Sequence, residues 1–330
     1  MMATLNDVAA VAGVSPTTVS RVINNYGSLS EKTKTKVFAA MRELNYAPNN
    51  LARSLSGKKT QLVGLIFPSV SNPFFGELVA TLENTLFAAG YKTILCNSAN
   101  NADKERAYLR MLAANQVDGI ITSTHNLGIT EYQKIALPIV AFDRNLAPTI
   151  PIVSSDNYQG GRIAAEALVS QGCRHIVMLV SSAETPEPTN DRQRAYADVL
   201  QQHHLTPQVT PLGFTTDVSV KRLTIRTLLQ DDPTIDGVFC SDDLTALLVL
   251  EEAEQLGRKV PADLKIIGYD GTPFMQAYHP ELATIQQPFN ALGQLLIATL
   301  TACIDGRPPK VLAPLPVQLR PGRTLTLDWA

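Results

Sequence analysis

The sequence predicts an all-α helix-turn-helix head followed by an α/β body made of two Rossmann-like doubly wound lobes. Three observations predict this. The first sixty residues carry short helical patterns broken by a glycine turn. From Thr60 onward, almost continuously apolar strands alternate with amphipathic helical stretches. Charge divides at the same place: residues 1–60 hold eight Lys or Arg against three Asp or Glu, in a chain whose net charge is -2. A basic head on an acidic body points to a polyanionic partner for the head alone.

In the head, Thr4 and Asp7 have capping-box spacing, and a helix follows through Ala12 with Leu5, Val8, Ala9 and Ala12 on one face. Gly13-Val14-Ser15 is a tight turn. Ser15 is the N-cap of a second helix whose first position is Pro16, where the missing N–H costs nothing. That helix runs to about Asn24, turns Val19, Val22 and Ile23 inward, and leaves Thr17, Thr18 and Arg21 outside. Asn24-Asn25-Tyr26-Gly27 breaks it, and Ser30 caps a third helix carrying Val37, Phe38, Met41 and Leu44. Two short helices across a three-residue turn and a third closing the core make a helix-turn-helix. In that geometry the start of the second helix enters the major groove. Pro16 and Thr17 then meet base edges or a thymine methyl, and Arg21 forks onto a guanine. Small helical bundles that bind nothing share the Gly turn; the exposed Thr-Thr-Arg face and the basic charge favour DNA.

"NNLARSLSG", residues 49–57, has Leu51, Ala52 and Leu55 at helical spacing but is too short to be a stable helix by itself. A plain linker would account for its position but not for Leu-Ala-Arg-Ser-Leu.

In the body, strands are expected at Leu62–Phe67, Thr93–Cys96, Gly119–Thr122, Ile139–Phe142, His175–Val180, Gly237–Cys240 and Leu264–Gly268. Helical patterns lie between them, among them Phe74–Ala89, Lys104–Ala114, Gly160–Gln171, Arg192–His203 and Leu244–Leu256. Strands this apolar belong to parallel sheets covered on both faces. The alternation is too long for one sheet, so two lobes are expected. Ala183–Asn190 reads as a surface loop. Ligands of such sheets bind beyond the C-terminal strand ends. Polar residues gather there: Ser69 to Asn72, Asp143 with Arg144, Ser241 with Asp242 and Asp243, and Asp270 in "IIGYDG". Each alone suits a helix cap; four clusters facing one cleft suit a polyhydroxylated ligand.

A catalyst is disfavoured by what is missing. There is no GxGxxG after the first strand, no Walker loop and no GxSxG. His125, His175, His203, His204 and His279 have no metal spacing with one another or with Cys, so neither metal nor cofactor is expected. Cys96, Cys173, Cys240 and Cys303 are isolated and read as buried thiols. The hydrophobic fraction of 45%, the absence of an apolar run near the roughly 18 residues that span a bilayer, and a start without a basic, apolar leader predict a cytoplasmic protein and no membrane partner.

The stretch from "TLNDVAAVAGVSPTTVSRVINNYG" through "NNLARSLSG" to "SNPFF" closely resembles the N-terminus of the LacI/GalR family of bacterial transcription regulators, with weaker matches to the C-terminus. The resemblance implies a head over 1–48, a hinge helix or linker over 49–59, and an effector-binding and dimerisation body of periplasmic-binding-protein type over 60–330. Its N-lobe spans about 60–158 and 289–320, and its C-lobe about 159–288. Crossovers are expected near Asn157–Gly160, near Gln286–Pro288 and in "LPVQLRPGRTL". Implied DNA contacts are Thr4, Ser15, Pro16, Thr17, Thr18, Arg21, Asn24 and Tyr26, with Ala52, Arg53 and Leu55 from the hinge; Leu55 is the wedge pushed into the central base step. Implied effector contacts are Ser69, Asn72, Phe74, Asp143, Arg144, Arg192, Ser241, Asp242 and Asp270. Ser241 stands where Asn is common, and Ala195 where Gly is usual. The implied protein is a homodimeric regulator of a pseudo-palindromic double-stranded operator, in the bacterial cytoplasm and on the nucleoid when bound. A sugar or sugar phosphate switches it, a disaccharide such as sucrose being the first candidate. Induction is preferred over co-repression, and the chain ends at Trp329-Ala330 without a heptad extension, which favours a dimer over a tail-linked tetramer. A purine co-repressor, a phosphocarrier protein on the body, or at greater distance a sugar- or nucleotide-processing enzyme, are the alternatives.

Overall fold

The structure is a computed structural model that describes residues 3–23, 26–46, 59–126, 128–181, 187–307 and 312–326. The chain divides into two compact units, Met1–Thr60 and Gln61–Ala330.

The first unit is built from α1 (Leu5–Ala12), α2 (Pro16–Ile23) and α3 (Glu31–Glu43). Each start is fixed by a side chain. Thr4 accepts from the Asp7 amide while the Asp7 carboxylate accepts from the Thr4 amide, a complete capping box. Ser15 Oγ accepts from the Thr18 amide at 3.1 Å and Ser30 Oγ from the Thr33 amide at 3.3 Å. Gly13 closes α1 in the left-handed region at φ 65°, which an L-residue with a Cβ adopts only at a cost. Small side chains fill the centre: Val8, Ala9, Ala12, Val19, Val22, Val37 and Ala40 are buried, with Leu5, Ile23, Met41, Leu44 and Tyr46 packed around them. Phe38 is 43% exposed; α3 buries Val37 and Ala40 instead, with Met41 partly buried beside them.

The second unit opens with β1 (Leu62–Phe67), α4 (Pro73–Ala88), β2 (Lys92–Asn97), α5 (Ala102–Ala114), β3 (Gly119–Thr122), α6 (Glu131–Lys134), β4 (Ile139–Phe142) and β5 (Ile152–Val153). These five strands form a wholly parallel sheet of order β2-β1-β3-β4-β5. The chain then crosses to a second lobe with α7 (Asn157–Ser170), β6 (Ile176–Val180), a 3-10 turn (Pro188–Asn190), α8 (Asp191–Gln202), β7 (Gln208–Pro211), α9 (Val218–Asp231), β8 (Gly237–Cys240), α10 (Asp243–Gln255), β9 (Lys265–Asp270), α11 (Pro273–Tyr278) and β10 (Ala283–Gln286). It returns to the first lobe as α12 (Phe289–Ile304) and ends in the second as β11 (Gln318–Arg320). The second sheet has order β11-β10-β9-β8-β6-β7, parallel except for β11.

Both sheets are covered on both faces, which is why most of their central strands are largely apolar. In the first lobe α4 and α12 bury Phe75, Leu78, Leu82, Leu292 and Leu296 on one face, and Leu109, Leu112 and Tyr132 cover the other. In the second lobe one face packs on Leu168, Tyr196 and Leu200, the other on Ile225, Leu229 and Val249. One boundary differs from expectation: β11 pairs with β10, so 318–320 belong to the second lobe, not the first. The crossing falls earlier, where Leu315 bridges to Ser155.

The edge strands β5, β7 and β11 and the inner strand β10 were not expected from the sequence. They are two to four residues long; β7 alternates between half-buried and exposed positions, β11 holds one apolar residue, and the buried β10 carries Thr284 and Gln286, so none shows a long apolar run. Among the described residues no helix is long and apolar enough to cross a membrane, and no cluster of three His, Cys, Asp or Glu side chains could hold a metal.

Candidate functional site

In the first unit, Ser15, Pro16, Thr17, Arg21 and Tyr26 are exposed and Thr18 is half-exposed. The tight turn before Pro16 and the inward pull of Val19 and Val22 put Pro16, Thr17 and Arg21 on the solvent face of α2. The Arg21 guanidinium folds over the turn that follows: Nε donates to the Tyr26 carbonyl at 3.4 Å, and a Cβ at Gly27 would lie 2.5 Å from Nη2. Thr4 and Ser15 spend their side chains on capping, so any contact to a ligand shares those hydroxyls. Asn24, Ala52, Arg53 and Leu55 lie outside the described residues.

In the second unit, the C-terminal ends of β1, β4, β8 and β9 face a cleft between the lobes, and a cavity of about 930 Å³ occupies it. All nine candidate effector residues (Ser69, Asn72, Phe74, Asp143, Arg144, Arg192, Ser241, Asp242 and Asp270) line this one cavity. Their individual positions differ. Asn72 and Asp242 are also helix caps: Asn72 Oδ1 accepts from the Phe74 amide, and the Asp242 carboxylate takes the Thr245 amide and hydroxyl, both at 2.8 Å. The Phe74 ring stacks on Phe142 at 5.7 Å and leans on Phe289 at 5.5 Å, giving the cavity an aromatic wall.

Arg192 is the centre of the polar end. Its Nε donates to Asn157 Oδ1 at 2.7 Å and its Nη1 to the Ser241 carbonyl at 2.9 Å, while the guanidinium lies over the Tyr269 ring at 3.5 Å. Its Nη2 is 4.0 Å from Asp143 Oδ2. Asn157 donates in turn to Asp143 Oδ1 at 3.0 Å, so one amide ties the buried acid to the buried base across the crossover. Asp143 Oδ2 has no hydrogen-bond partner among the described residues. Burial raises the Asp143 carboxyl above its ordinary range, with Arg192 opposing. Such an oxygen keeps acceptor capacity that Arg192 Nη2, at 4.0 Å, does not fill.

Helix packing places Arg192. A Cβ on Gly161 would sit 2.2 Å from the Arg192 carbonyl oxygen, and one on Gly160 would sit 2.4 Å from the Tyr269 hydroxyl. The two glycines of α7 let α8 and β9 approach at contact distance, which brings Arg192 and Tyr269 face to face. Ala195, at a position where the resemblance leads one to expect Gly, is fully buried without disturbing this packing.

Arg144 turns away from the polar end. It donates to the Thr124 and Asp143 carbonyls at 3.1 and 2.7 Å and to His125 Nε2 at 2.6 Å. Burial and then the Arg144 charge hold His125 well below its usual range, so the ring is neutral and accepts from Arg144. The other face of His125 packs on Phe214 at 4.3 Å, and Phe75 meets both rings edge-on at 5.8 Å. Because Phe214 comes from the second lobe and His125 and Phe75 from the first, this aromatic cluster bridges the cleft. Glu187 of the second lobe adds a further link by accepting from the Asn145 amide at 2.7 Å.

His125, Glu187, Phe214 and Gln287, which line the cavity, and Asn157 and Tyr269, which support Arg192 behind it, were not singled out from the sequence as site residues. Phe214 is a lone aromatic in the polar run Gly213–Asp217 and was open to detection. Asn157 and Gln287 sit at crossovers whose partners are distant in sequence, and only the fold assembles them.

A helix-turn-helix unit joined to a two-lobed, cleft-forming α/β unit defines a ligand-responsive DNA-binding protein. Residues 4–49 match the model of bacterial regulatory proteins of the lacI family, and 165–325 match that of a periplasmic binding protein-like domain. The chain is 52% identical to the sucrose operon repressor of Streptococcus mutans over 98% of its length and 100% of the relative's. It is 53% identical to the sucrose operon repressor of Pediococcus pentosaceus, over 91% of this chain and 92% of that one. Among solved structures it is similar to the lac repressor dimer bound to operator and the anti-inducer ONPF, with a TM-score of 0.84 and 26% identity over 99% of this chain and all of that one. The chain therefore belongs to the LacI family of bacterial regulatory proteins; it is a DNA-binding transcriptional regulator and not an enzyme.

Proposed function

We propose that this regulator is a repressor of sucrose utilisation that binds a pseudo-palindromic operator as a homodimer and takes a sucrose-type sugar, free or phosphorylated, in the cleft. The observation that carries the reading is the convergence of nine residues from four strand ends, α4 and α8 on one cavity of about 930 Å³, beside the linked Asp143, Asn157 and Arg192. That volume is at the upper end of the roughly 300–1,000 Å³ usual for ligand pockets and suits a disaccharide. The names of the S. mutans and P. pentosaceus relatives support the sugar.

Residues 1–48 read the operator, with Pro16, Thr17, Thr18 and Arg21 in the major groove and Thr4, Ser15, Asn24 and Tyr26 beside it. Residues 49–59 act as the hinge, Leu55 wedging the central base step with Ala52 and Arg53 against the minor groove. Residues 60–330 bind effector and pair the subunits. The protein works in the cytoplasm and on the nucleoid. Effector closes the lobes, the hinge segments shift apart, and operator affinity falls; induction is the sign.

The test is a titration of operator-bound full-length protein with sucrose and with sucrose 6-phosphate, followed by DNA mobility. Release by either, with no release by ribose or hypoxanthine, is the expected result. Tighter operator binding in the presence of hypoxanthine would replace the sugar with a purine co-repressor.

A further inference from the structure

Asp243 lies behind the wall of the cleft and does not line the cavity. It is the first residue of α10, 3% exposed, and both of its carboxylate oxygens are engaged. Oδ2 accepts from the Gly271 amide at 2.8 Å and Oδ1 from the Thr284 hydroxyl at 2.5 Å. The carboxylate is pressed against β9: a Cβ on Gly268 would sit 2.3 Å from Oδ1, so this side chain requires glycine there.

The amide that Asp243 holds follows an unusual backbone. Asp270 has φ 110°, a conformation that non-glycine residues rarely adopt and that persists only where the surroundings enforce it. Gly271 has φ 57°, and a Cβ on it would meet Gln286 Cα at 2.8 Å. From the other side, Gln287 donates its amide to the Asp270 carbonyl at 3.0 Å and Nε2 to Asp270 Oδ1 at 2.8 Å. The turn is therefore clamped between Asp243 and Gln287, and the Asp270 carboxylate is aimed into the cavity from it.

We propose that Asp243 is the positioning residue of the effector site, fixing the Asp270 carboxylate by holding the Gly271 amide. The proposal deepens, and rests on, the reading of the cleft as a sugar site. It also gives the site a proton. Burial pushes the Asp243 carboxyl up to about 7, against the opposing hydrogen bonds from Thr284 and Gly271. Asp270 is raised well above the ordinary carboxylate range by burial, with Arg192 opposing and Asp243 adding to the rise. The charged and titratable groups around Asp243 are Asp242 on its own helix, Asp270 on β9, Cys240 on β8 and Arg320 on β11. β10 presents only the Thr284 hydroxyl. Two carboxyls this close titrate as a pair. While Asp243 holds a proton, its acid form still accepts from Gly271 and donates to Thr284, so the clamp on the turn is kept. Loss of the Asp243 proton above about pH 7 places a negative charge beside Asp270, and this repulsion opposes the clamped turn.

The test uses full-length protein with sucrose as the probe, measured by calorimetry at pH 6 and pH 8.5, and the Gly271 amide resonance followed across the same range. Wild-type protein is expected to bind sucrose at least about threefold more weakly at pH 8.5 than at pH 6, a dependence that Asp243→Asn flattens. The amide isostere keeps the Gly271 bond and loses the titration. Asp243→Ala is expected to lose at least about tenfold in affinity at pH 6, with Asp243→Asn retaining it. The Gly271 resonance is expected to titrate near pH 7 in wild type and stay still in Asp243→Asn. A Gly271 resonance that does not move in wild type, an unchanged pH slope in Asp243→Asn, or full sucrose affinity in Asp243→Ala each overturns the assignment. If Asp243→Ala fails to fold, the Asn variant and the resonance decide. If wild type does not bind sucrose, the resonance decides alone, and the failure counts against the sugar reading only.

Discussion

The head and the body place their functional side chains by opposite means. In the head, Ser15, Pro16, Thr17 and Arg21 come from one seven-residue stretch, and local rules set their direction: a capping hydroxyl, a proline at the first helical position, and Val19 and Val22 turned inward. In the body, Asp143, Asn157, Arg192, Ser241 and Asp270 come from five separate elements and meet only because two sheets and three crossovers bring them together. A locally built surface tolerates a single substitution as a local loss. A site assembled through shared hydrogen bonds does not, because removing one member leaves others buried and unpaired.

That difference orders the expected effects. Arg192→Ala is the largest: it strips a partner from Asn157 and the Ser241 carbonyl and leaves Asp143 buried without its cation, a cost of about 3–5 kcal/mol. Effector response should vanish and the body's melting temperature should drop, while operator binding by the head persists; retained response would break the picture of Arg192 as the hub. Asp270→Ala sharpens the same contrast from the ligand side, with operator affinity unchanged and the response to sugar lost, read by DNA mobility with and without sucrose. Next comes Arg21→Ala, which should cost about 1–3 kcal/mol of discrimination at one base pair. A specificity profile measured over operator variants that does not change at any position would remove Arg21 from base reading. Leu55→Ala should weaken operator binding more than binding to unrelated DNA, and an equal loss on both would show that Leu55 is no wedge. The smallest is Thr4→Ala, which deletes one capping box and should lower the head's stability by about 1 kcal/mol in a denaturant melt, without changing the body's transition.

The pH dependence of the body separates the two regions further. Asp243 has a folded-state pKa of about 7, above the roughly 3.9 of an unfolded aspartate. The folded body therefore binds the extra proton between those values, and its stability falls as pH rises from about 4 to about 7. Asp243→Asn should raise the melting temperature at pH 8 and leave the difference small near pH 4. In the head, Asp7 runs the other way: the Thr4 amide and hydroxyl hold its carboxyl below the ordinary value, so the capping box weakens as pH falls through that depressed value.

How much was legible follows from the same contrast. The three head helices were readable because caps and a glycine turn are contiguous signals. Their one misreading, Phe38, arose because helical spacing leaves two neighbouring positions competing for one buried face. Most central strands of both sheets were readable because strands covered on both faces are largely apolar; β10 was not, since Thr284 and Gln286 break its apolar run. The strands β5, β7 and β11 were not, since short edge strands need only their neighbour's hydrogen bonds. β11 in particular reads as a tail of the first lobe until its pairing with β10 is seen.

The sequence by itself determined the helical head, the parallel α/β body, the polar residues at four strand ends, and the charge that separates DNA-facing from ligand-facing halves. These depend on local periodicity and on side-chain chemistry, which a sequence displays directly. Only the tertiary structure decided that Asn157 joins Asp143 to Arg192, that Phe214 and His125 meet across the cleft, and that Asp243 holds the turn behind Asp270. Those links run between residues 14 to 89 positions apart, where no local preference acts, and burial makes each of them matter by denying water as a substitute partner.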